Sequence, residues 1–157
     1  MKFETAQLMC TRLADDVRLP RVATEVSIGA DVYAYLKSES GRPIKMLVPP
    51  GMTRMIPTGL VAVSEPPYSI LVCSRSGLAT KGIFVANAPG VVDPDYRGEI
   101  KILLHNASGE VHWVEHGDRI AQIILVPVPV PIVGESSMDL TQLTSIRGEA
   151  GFGSTGR

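Results

Sequence analysis

The sequence has no long block of charge of one sign. Its 15 lysine and arginine residues are balanced by 16 aspartate and glutamate residues, and the formal net charge is -1. A cluster or stripe of cations is the electrostatic footprint of proteins that bind long nucleic acids. We therefore expect no long nucleic acid among the partners. A few local arginines are still enough to bind a small anionic ligand.

Cysteines and long apolar segments are also scarce. Cys10 and Cys73 are the only cysteines and form no C-x-x-C pair or disulfide framework, which favours a reducing compartment. The richest apolar stretch, residues 120–133, is interrupted by three prolines and is too short to cross a bilayer. Because the first ten residues carry no long apolar segment, we expect a cytoplasmic protein that does not associate with a membrane.

Short apolar segments between turn residues make up most of the chain. Hydrophobic residues account for 45% and aromatic residues for only 5%, so the core is expected to consist of valine, isoleucine and leucine. Residues 30–36 alternate apolar side chains with aspartate and tyrosine, which is the period of a β-strand. Many such strands at regular turn spacing predict an all-β barrel or jelly roll.

We expect one domain over residues 1–157. The β core and a crossing strand would occupy about residues 1–133, and a C-terminal arm residues 134–157. Pro127, Pro129 and Pro131 cannot serve a central strand. They predict an extended edge or a crossing arm, and we expect this arm to be exchanged between subunits.

Asp93 is the first candidate for chemistry. Residues 86–99 predict a β-hairpin with a buried arm and a polar tip, and Asp93 follows two valines at the end of that arm. A carboxylate at the end of an apolar strand is a candidate general base. An ordinary turn residue before proline fits the same pattern, and both interpretations stay open.

Three further stretches carry groups that suit a phosphorylated ligand. Ser74-Arg75-Ser76-Gly77 predicts either an anion site or simply a short helix capped by one of its serines, with a surface arginine. Asp31 is either a carboxylate for a hydrated Mg²⁺ or an outward-facing strand residue. Gln122 could position a water or a phosphate.

The neighbours of Gln122 and the three histidines are interpreted as structural. Asp118 and Arg119 predict a turn and an ion pair. His105, His112 and His116 show no spacing typical of metal ligands.

The chain ends in a glycine-rich segment, G-F-G-S-T-G at residues 151–156. It matches the G-x-G-x-x-G pattern, but there is no βαβ context for a dinucleotide-binding fold. Glycine backbone N–H groups can still cradle phosphate oxygens, Arg147 can form a bidentate pair, and Phe152 can stack on a base. The alternative is an ordinary glycine-rich terminus.

Five of these stretches, in this order, resemble the motifs of the trimeric dUTPase family. They read SIGADVYA at 27–34, RSGLA at 75–79, GVVDPDYRG at 90–98, GDRIAQ at 117–122 and RGEAGFGSTG at 147–156. The resemblance implies a distorted jelly-roll homotrimer with three active sites at subunit interfaces. Motifs one, two and four of each site would come from one subunit, motif three from a neighbour and the tail from the remaining subunit.

The resemblance also implies the reaction, which is Mg²⁺-dependent hydrolysis of dUTP to dUMP and pyrophosphate. Asp93 would activate the attacking water, Gln122 would hold water and phosphate, and Asp31 would bind Mg²⁺ through water. The alternative is a dCTP deaminase, or a bifunctional deaminase–dUTPase, of the same fold.

The resemblance further implies a set of substrate contacts. Arg75 would grip phosphate, the 87–92 backbone would read uracil, Tyr96 would pack under the deoxyribose and Phe152 would close over the base. The implied substrate-binding residues are Arg75, Ser76, Gly77, Asn87, Gly90, Val91, Val92, Tyr96, Lys101, Arg147, Phe152, Gly153, Ser154 and Thr155.

Overall fold

The computed structural model describes residues 5–142, which form strands joined by short turns. Within that range lie twelve strands, one single-turn helix and one 3₁₀ turn. Their bounds are β1 Leu8–Arg12, β2 Arg21–Val22, β3 Ala30–Tyr33, β4 Lys45–Val48, β5 Thr53–Pro57, β6 Leu60–Ser64, β7 Tyr68–Cys73, α1 Ser76–Ala79, β8 Ile83–Val85, β9 Gly90–Val92, β10 Lys101–Asn106, β11 His112–Glu115, β12 Arg119–Pro127 and the 3₁₀ turn Leu140–Gln142.

The strands form four antiparallel sheets. The largest has the order β2-β3-β12-β7-β9, and a second has the order β5-β10-β8. Two-stranded ladders pair β1 with β6 and β11 with β4. Every pair of neighbouring strands is antiparallel. The prediction of an all-β fold is therefore confirmed.

The core lies between the inner faces of these sheets and consists of branched aliphatic side chains. Val32, Ile56, Ile102 and Ile123 are each at most 2% exposed although they come from four different strands. Inward residues alternate with outward ones because successive side chains of a strand point to opposite faces. This pattern matches the composition, which is rich in valine, isoleucine and leucine and poor in aromatics.

Asn106 is the buried polar residue that joins several loops to this core. Its side chain is 0% exposed. The amide nitrogen donates to the carbonyls of Val48 and Glu110, and the amide oxygen accepts from the backbone N–H and the hydroxyl of Ser108. Since every polar atom of the side chain is paired, its burial is compensated.

The strand that carries Asp31 is shorter than the alternation predicts. It ends at Tyr33, although Ala34 and Leu36 are buried as expected. The backbone N–H of Ala34 donates to the carbonyl of Asp118, and that of Leu36 donates to Nδ1 of His116. A turn therefore replaces the neighbouring strand at this point.

Two local predictions are wrong. Residues 86–99 do not form a hairpin, because β9 pairs with β7 and the chain after the turn enters β10 in another sheet. Val91 is also exposed rather than buried. At α1 neither serine is the cap, since Arg75 occupies the N-cap position without a side-chain bond. The Ser74 hydroxyl instead accepts from the N–H of Val85.

The proline-rich segment leaves the sheet where β12 ends at Pro127. Residues 128–139 contain no strand, and Val130 and Ile132 are 83% and 100% exposed. The predicted extended arm is consistent with this geometry, and its exchange between subunits stays a prediction. In the part of the chain that the structure describes, no helix is long and apolar enough to cross a membrane.

Candidate active site

A pocket of about 370 Å³ lies where β3, β12 and the loop after β7 meet. The sheet register brings these elements together, because Gln122 on β12 lies opposite Asp31 on β3 and opposite Cys73 on β7. Arg75 follows β7 by two residues and so enters the same pocket. The lining residues are Ala23, Ser27, Ile28, Gly29, Asp31, Arg75, Ser76, Gly77, Arg119 and Gln122.

Asp31 joins the two arginines of this pocket. Its Oδ1 accepts a hydrogen bond from Nε of Arg75 at 2.7 Å, and its Oδ2 accepts from Nη1 of Arg119 at 3.2 Å. The Arg75 guanidinium also donates to the backbone carbonyl of Arg119 at 3.1 Å. Two cations and one carboxylate leave a positive charge in excess, and both arginines keep unused N–H donors. The pocket therefore suits an anion.

Gln122 has a fixed orientation. Its Nε2 donates to the backbone carbonyl of Ser74 at 2.9 Å, so its amide oxygen is the end that remains available to accept a hydrogen bond. The first backbone N–H groups of α1, which begins at Ser76, have no acceptor within the helix. Ser76, Gly77 and Gln122 thus line one small volume that offers both donors and an acceptor.

A second pocket, of about 650 Å³, lies beside β9 and β10. Because β9 is the last strand of its sheet, one of its edges carries N–H and C=O groups that no strand pairs. Such an edge can form hydrogen bonds with a planar polar ligand. The lining residues are Met55, Val72, Asn87, Gly90, Val91, Val92, Asp93, Tyr96, Gly98, Glu99, Ile100, Lys101 and Leu103.

Tyr96 is held in this second pocket by its neighbours. Its hydroxyl donates to the backbone carbonyl of Glu99 at 3.0 Å. A Cβ at Gly98 would lie 2.4 Å from the Tyr96 hydroxyl oxygen, so the ring can occupy this place only beside glycine. The Glu99 carboxylate accepts from the backbone N–H groups of Thr58 and Gly59, which fastens the loop to the turn between β5 and β6.

Asp93 lies at the end of β9 with an exposed side chain. Its backbone carbonyl accepts from the N–H of Tyr96 at 3.0 Å, which confirms the predicted turn at this position. Within residues 5–142 its carboxylate makes no hydrogen bond or ion pair. The carboxylate is therefore available as a proton acceptor.

Asp93 and Gln122 lie at opposite ends of β7. Val92 is opposite Ile70, so Asp93 lies beside the next residue, Ser69. Gln122 lies on the other side of β7, opposite Cys73. Four residues along the strand at about 3.3 Å each, and two strand spacings of about 4.8 Å, place the two Cα atoms about 16 Å apart.

The Gln122 side chain points further away, toward Ser74. The two pockets also share no lining residue. Within one chain the structure therefore brings Asp31, Arg75, Ser76, Gly77 and Gln122 together, but it does not bring Asp93 to them.

The remaining predicted contacts fall into two groups, one in the second pocket and one in the C-terminal tail. Asn87, Gly90, Val91, Val92, Asp93, Tyr96 and Lys101 all line the second pocket. Arg147, Phe152, Gly153, Ser154 and Thr155 lie outside the described residues.

Several pocket residues were not predicted as functional. Gly29 lies against Gln122, and the backbone carbonyl of Glu99 accepts from Tyr96. Their only sequence signal was their position inside or beside a motif. Asp118 and Arg119 were predicted to make a turn and an ion pair, but Arg119 pairs with Asp31, and the Asp118 carboxylate accepts from the backbone N–H of Glu115. Met55 and Leu103 are outward apolar residues on neighbouring strands.

The fold and the two pockets define a class of protein, namely an all-β protein with a site suited to a small phosphorylated ligand. Residues 15–156 match the family model for dUTPase. The chain is 41% identical over 145 residues to the deoxyuridine 5'-triphosphate nucleotidohydrolase of Ehrlichia canis (strain Jake), covering 91% of this chain and 90% of that protein. It is 42% identical over 146 residues to that of Wolbachia pipientis wMel, with the same coverage of both proteins. The chain belongs to the dUTPase family.

Solved structures agree on the fold. The Staphylococcus bacteriophage 80alpha dUTPase G164S mutant with dUpNHpp matches with a TM-score of 0.80 at 22% identity, covering 98% of this chain and 100% of that chain. A D95N mutant of the dUTPase from phage phi11 of S. aureus matches with a TM-score of 0.71 at 19% identity, covering 85% and 99%. The predictions of the family, the jelly-roll-like fold and the hydrolase class are confirmed.

Proposed function

We propose that this protein hydrolyses dUTP to dUMP and pyrophosphate, which limits uracil incorporation into DNA and supplies dUMP for thymidylate synthesis. The observation that carries the proposal is the pairing of two different pockets on one dUTPase-family chain. One presents Arg75 and Arg119 to an anion, with the Gln122 side chain beside them. The other presents the free edge of β9 beside Tyr96, which suits a nucleoside.

The complete site is proposed to form between subunits of a homotrimer. Asp93 of one subunit would lie against Arg75 and Gln122 of a neighbour, because the register keeps these groups apart within a chain. A closed ring with three-fold symmetry would repeat this contact three times. The C-terminal tail of the third subunit would complete each site.

The nucleoside is proposed to lie in the pocket beside β9. Backbone groups of residues 87–92 would hydrogen-bond the polar edge of uracil, and the narrow space would exclude the methyl group of thymine. Gly90 supports this reading, because a Cβ there would lie 3.0 Å from Nδ2 of Asn87. Tyr96 would pack under the deoxyribose and leave no space for a 2′-hydroxyl. Lys101 lines the same pocket.

The reaction would be an in-line attack of water on the α-phosphorus. Asp93 would take a proton from the water as the new P–O bond forms. The bond from the α-phosphorus to the bridging oxygen would break and release pyrophosphate. Arg75, with the backbone of Ser76 and Gly77, would stabilise charge on the phosphate oxygens, and Gln122 would align water and phosphate.

Asp31 is suited to a hydrated Mg²⁺. Residues 5–142 contain no cluster of three or more potential metal-ligating side chains, so a cage made only of protein ligands is not formed there. Mg²⁺ keeps several waters and is bound through one or two carboxylates plus substrate phosphates, and the carboxylate of Asp31 retains acceptor capacity beside its two arginines. The bound ion would neutralise charge on the triphosphate. The related phage phi11 dUTPase is described with a structural Mg(II) ion.

The tail and the location complete the proposal. Arg147, Phe152, Gly153, Ser154 and Thr155 would close over the bound nucleotide, as the family resemblance implies, in an arm that belongs to the same single domain. A cytoplasmic location is supported by Cys10 and Cys73, which are both free thiols.

The proposal is tested by measuring pyrophosphate release with Mg²⁺ from dUTP, dTTP, dCTP and UTP in parallel. We expect fast release from dUTP and little from the other three, because the methyl, amino and 2′-hydroxyl groups do not fit the pocket. Ammonia release from dCTP would instead identify a deaminase of the same fold. Equal release from all four nucleotides would contradict the assignment of the pocket beside β9.

A further inference from the structure

The side chain of Gln122 lies directly on the backbone of residue 29. A Cβ built on Gly29 would be 2.4 Å from Oε1 of Gln122, 3.2 Å from its Cδ and 3.6 Å from its Cβ. The other end of the amide is fixed, because Nε2 donates to the carbonyl of Ser74. Gln122 is thus held between the end of β7 and a position that has no side chain.

A side chain at position 29 would displace the amide and little else. The three heavy atoms nearest to the added Cβ all belong to Gln122. Since non-bonded heavy atoms rest about 3.5 Å apart, Oε1 would have to move by roughly 1 Å. Gly29 is not among the glycines with positive φ, so alanine causes no backbone strain there. The end of a flexible side chain can yield without cost to the fold.

We propose that Gly29 is a positioning residue for the reaction, and that its lack of a side chain holds the amide oxygen of Gln122 in its working place. This inference rests on the proposed function, in which Gln122 aligns water and phosphate. Gly29 touches no reacting atom itself. It acts by leaving the space in which the Ser74-bound conformer of Gln122 fits.

The test compares Gly29→Ala with Gln122→Ala and with the double variant, using Gly109→Ala as the matched control. Gly109 has no heavy atom within 4 Å of its added Cβ and no positive φ. A misplacement of about 1 Å can cost about 10²-fold in rate, so we expect kcat of Gly29→Ala to fall by about that factor. Its KM for dUTP and its melting temperature should stay close to those of Gly109→Ala.

Non-additivity is the readout that a merely structural role would not give. Once Gln122 is removed, alanine at position 29 has nothing to displace. We therefore expect the double variant to match the kcat of Gln122→Ala, rather than to lose the product of the two factors.

A second readout does not depend on activity. The side-chain amide signals of Gln122, identified as those missing from the spectrum of Gln122→Ala, report its hydrogen bond to Ser74. We expect Gly29→Ala to shift these ¹H–¹⁵N signals and Gly109→Ala to leave them in place.

The outcomes separate this inference from the proposed function. Unshifted amide signals and an unchanged kcat in Gly29→Ala would overturn the positioning role even if dUTP is hydrolysed. Fully additive losses in the double variant would also overturn it. A normal kcat in Gln122→Ala would instead remove the role of Gln122 on which the inference depends, and an enzyme inactive on dUTP would reject the proposed function itself.

Discussion

If active sites are shared between subunits, the activity of oligomers that mix two inactive variants can be predicted. Asp93→Asn lacks the proposed base but keeps the phosphate pocket, and Arg75→Ala keeps the base but lacks the pocket arginine. Each variant alone should be inactive. In a mixed oligomer, a site can combine the intact pocket of an Asp93→Asn subunit with the intact Asp93 of an Arg75→Ala neighbour.

The activity recovered by a mixed trimer follows from the number of active interfaces in its three-subunit ring. A mixed trimer contains either two subunits of one type or two of the other, and in both cases one of its three interfaces has the active pairing. Trimers selected for both types should therefore recover about one third of the wild-type activity. A mixed dimer would recover about one half, so the same assay reports the number of subunits.

The assay needs co-expression with two different N-terminal tags, sequential purification on both tags and a pyrophosphate-release measurement. N-terminal tags are required because the proposed lid lies at the other end of the chain. As a control, each variant is co-expressed with itself, one copy carrying each tag, and purified in the same way. The activity of these oligomers should stay at the baseline. Baseline activity in the mixed trimers would refute the sharing of sites between subunits.

Three further results are expected. Asn106→Ala should lower the free energy of unfolding by about 1–3 kcal/mol for each buried partner left unpaired, chiefly the Val48 carbonyl. An equal free energy of unfolding for Asn106→Ala and Ser108→Ala in chemical denaturation would contradict this. Burial lowers the pKa of His112, so the unfolded chain binds more protons, and the stability of the fold should decrease as the pH drops below about 6.5. Thermal unfolding of His112→Gln should lose this pH dependence. Identical pH profiles for the two proteins would exclude a contribution from His112. Deleting residues 148–157 should reduce turnover by about 10²-fold without changing subunit number or melting temperature; unchanged turnover would show that the tail is not a lid.

The sequence predicted strands better than their partners. Alternation in residues 30–36 identified β3 and its inward side, because burial follows the two-residue period of a strand. The same pattern could not show that the backbone of Ala34 would bond to the turn at Asp118. For residues 86–99 the turn at Asp93 was found, but β9 pairs with β7. Pairing across the sheet depends on packing between distant segments, which local patterns do not contain.

The residues of the candidate site were likewise predicted better than their contacts. The family resemblance implied that Asp31, Arg75 and Gln122 serve one site, and the register of β3, β12 and β7 brings them to one pocket. The sequence left open whether Asp31 holds a hydrated Mg²⁺ or is an outward-facing strand residue. In the structure its carboxylate bonds to Arg75 and Arg119 in the pocket, and its Mg²⁺ role stays a prediction. The role of Gly29 could not be read from the sequence, because it depends on the side-chain conformation of Gln122.

The most direct measurement compares turnover and binding in Asp93→Asn. The amide keeps the shape of the carboxylate but cannot accept the proton, so we expect a loss of dUTP hydrolysis while binding of the non-hydrolysable analogue dUpNHpp stays close to wild type. Calorimetry and pyrophosphate release on the same preparation give both quantities. Wild-type turnover in Asp93→Asn would contradict the assignment of Asp93 as the base.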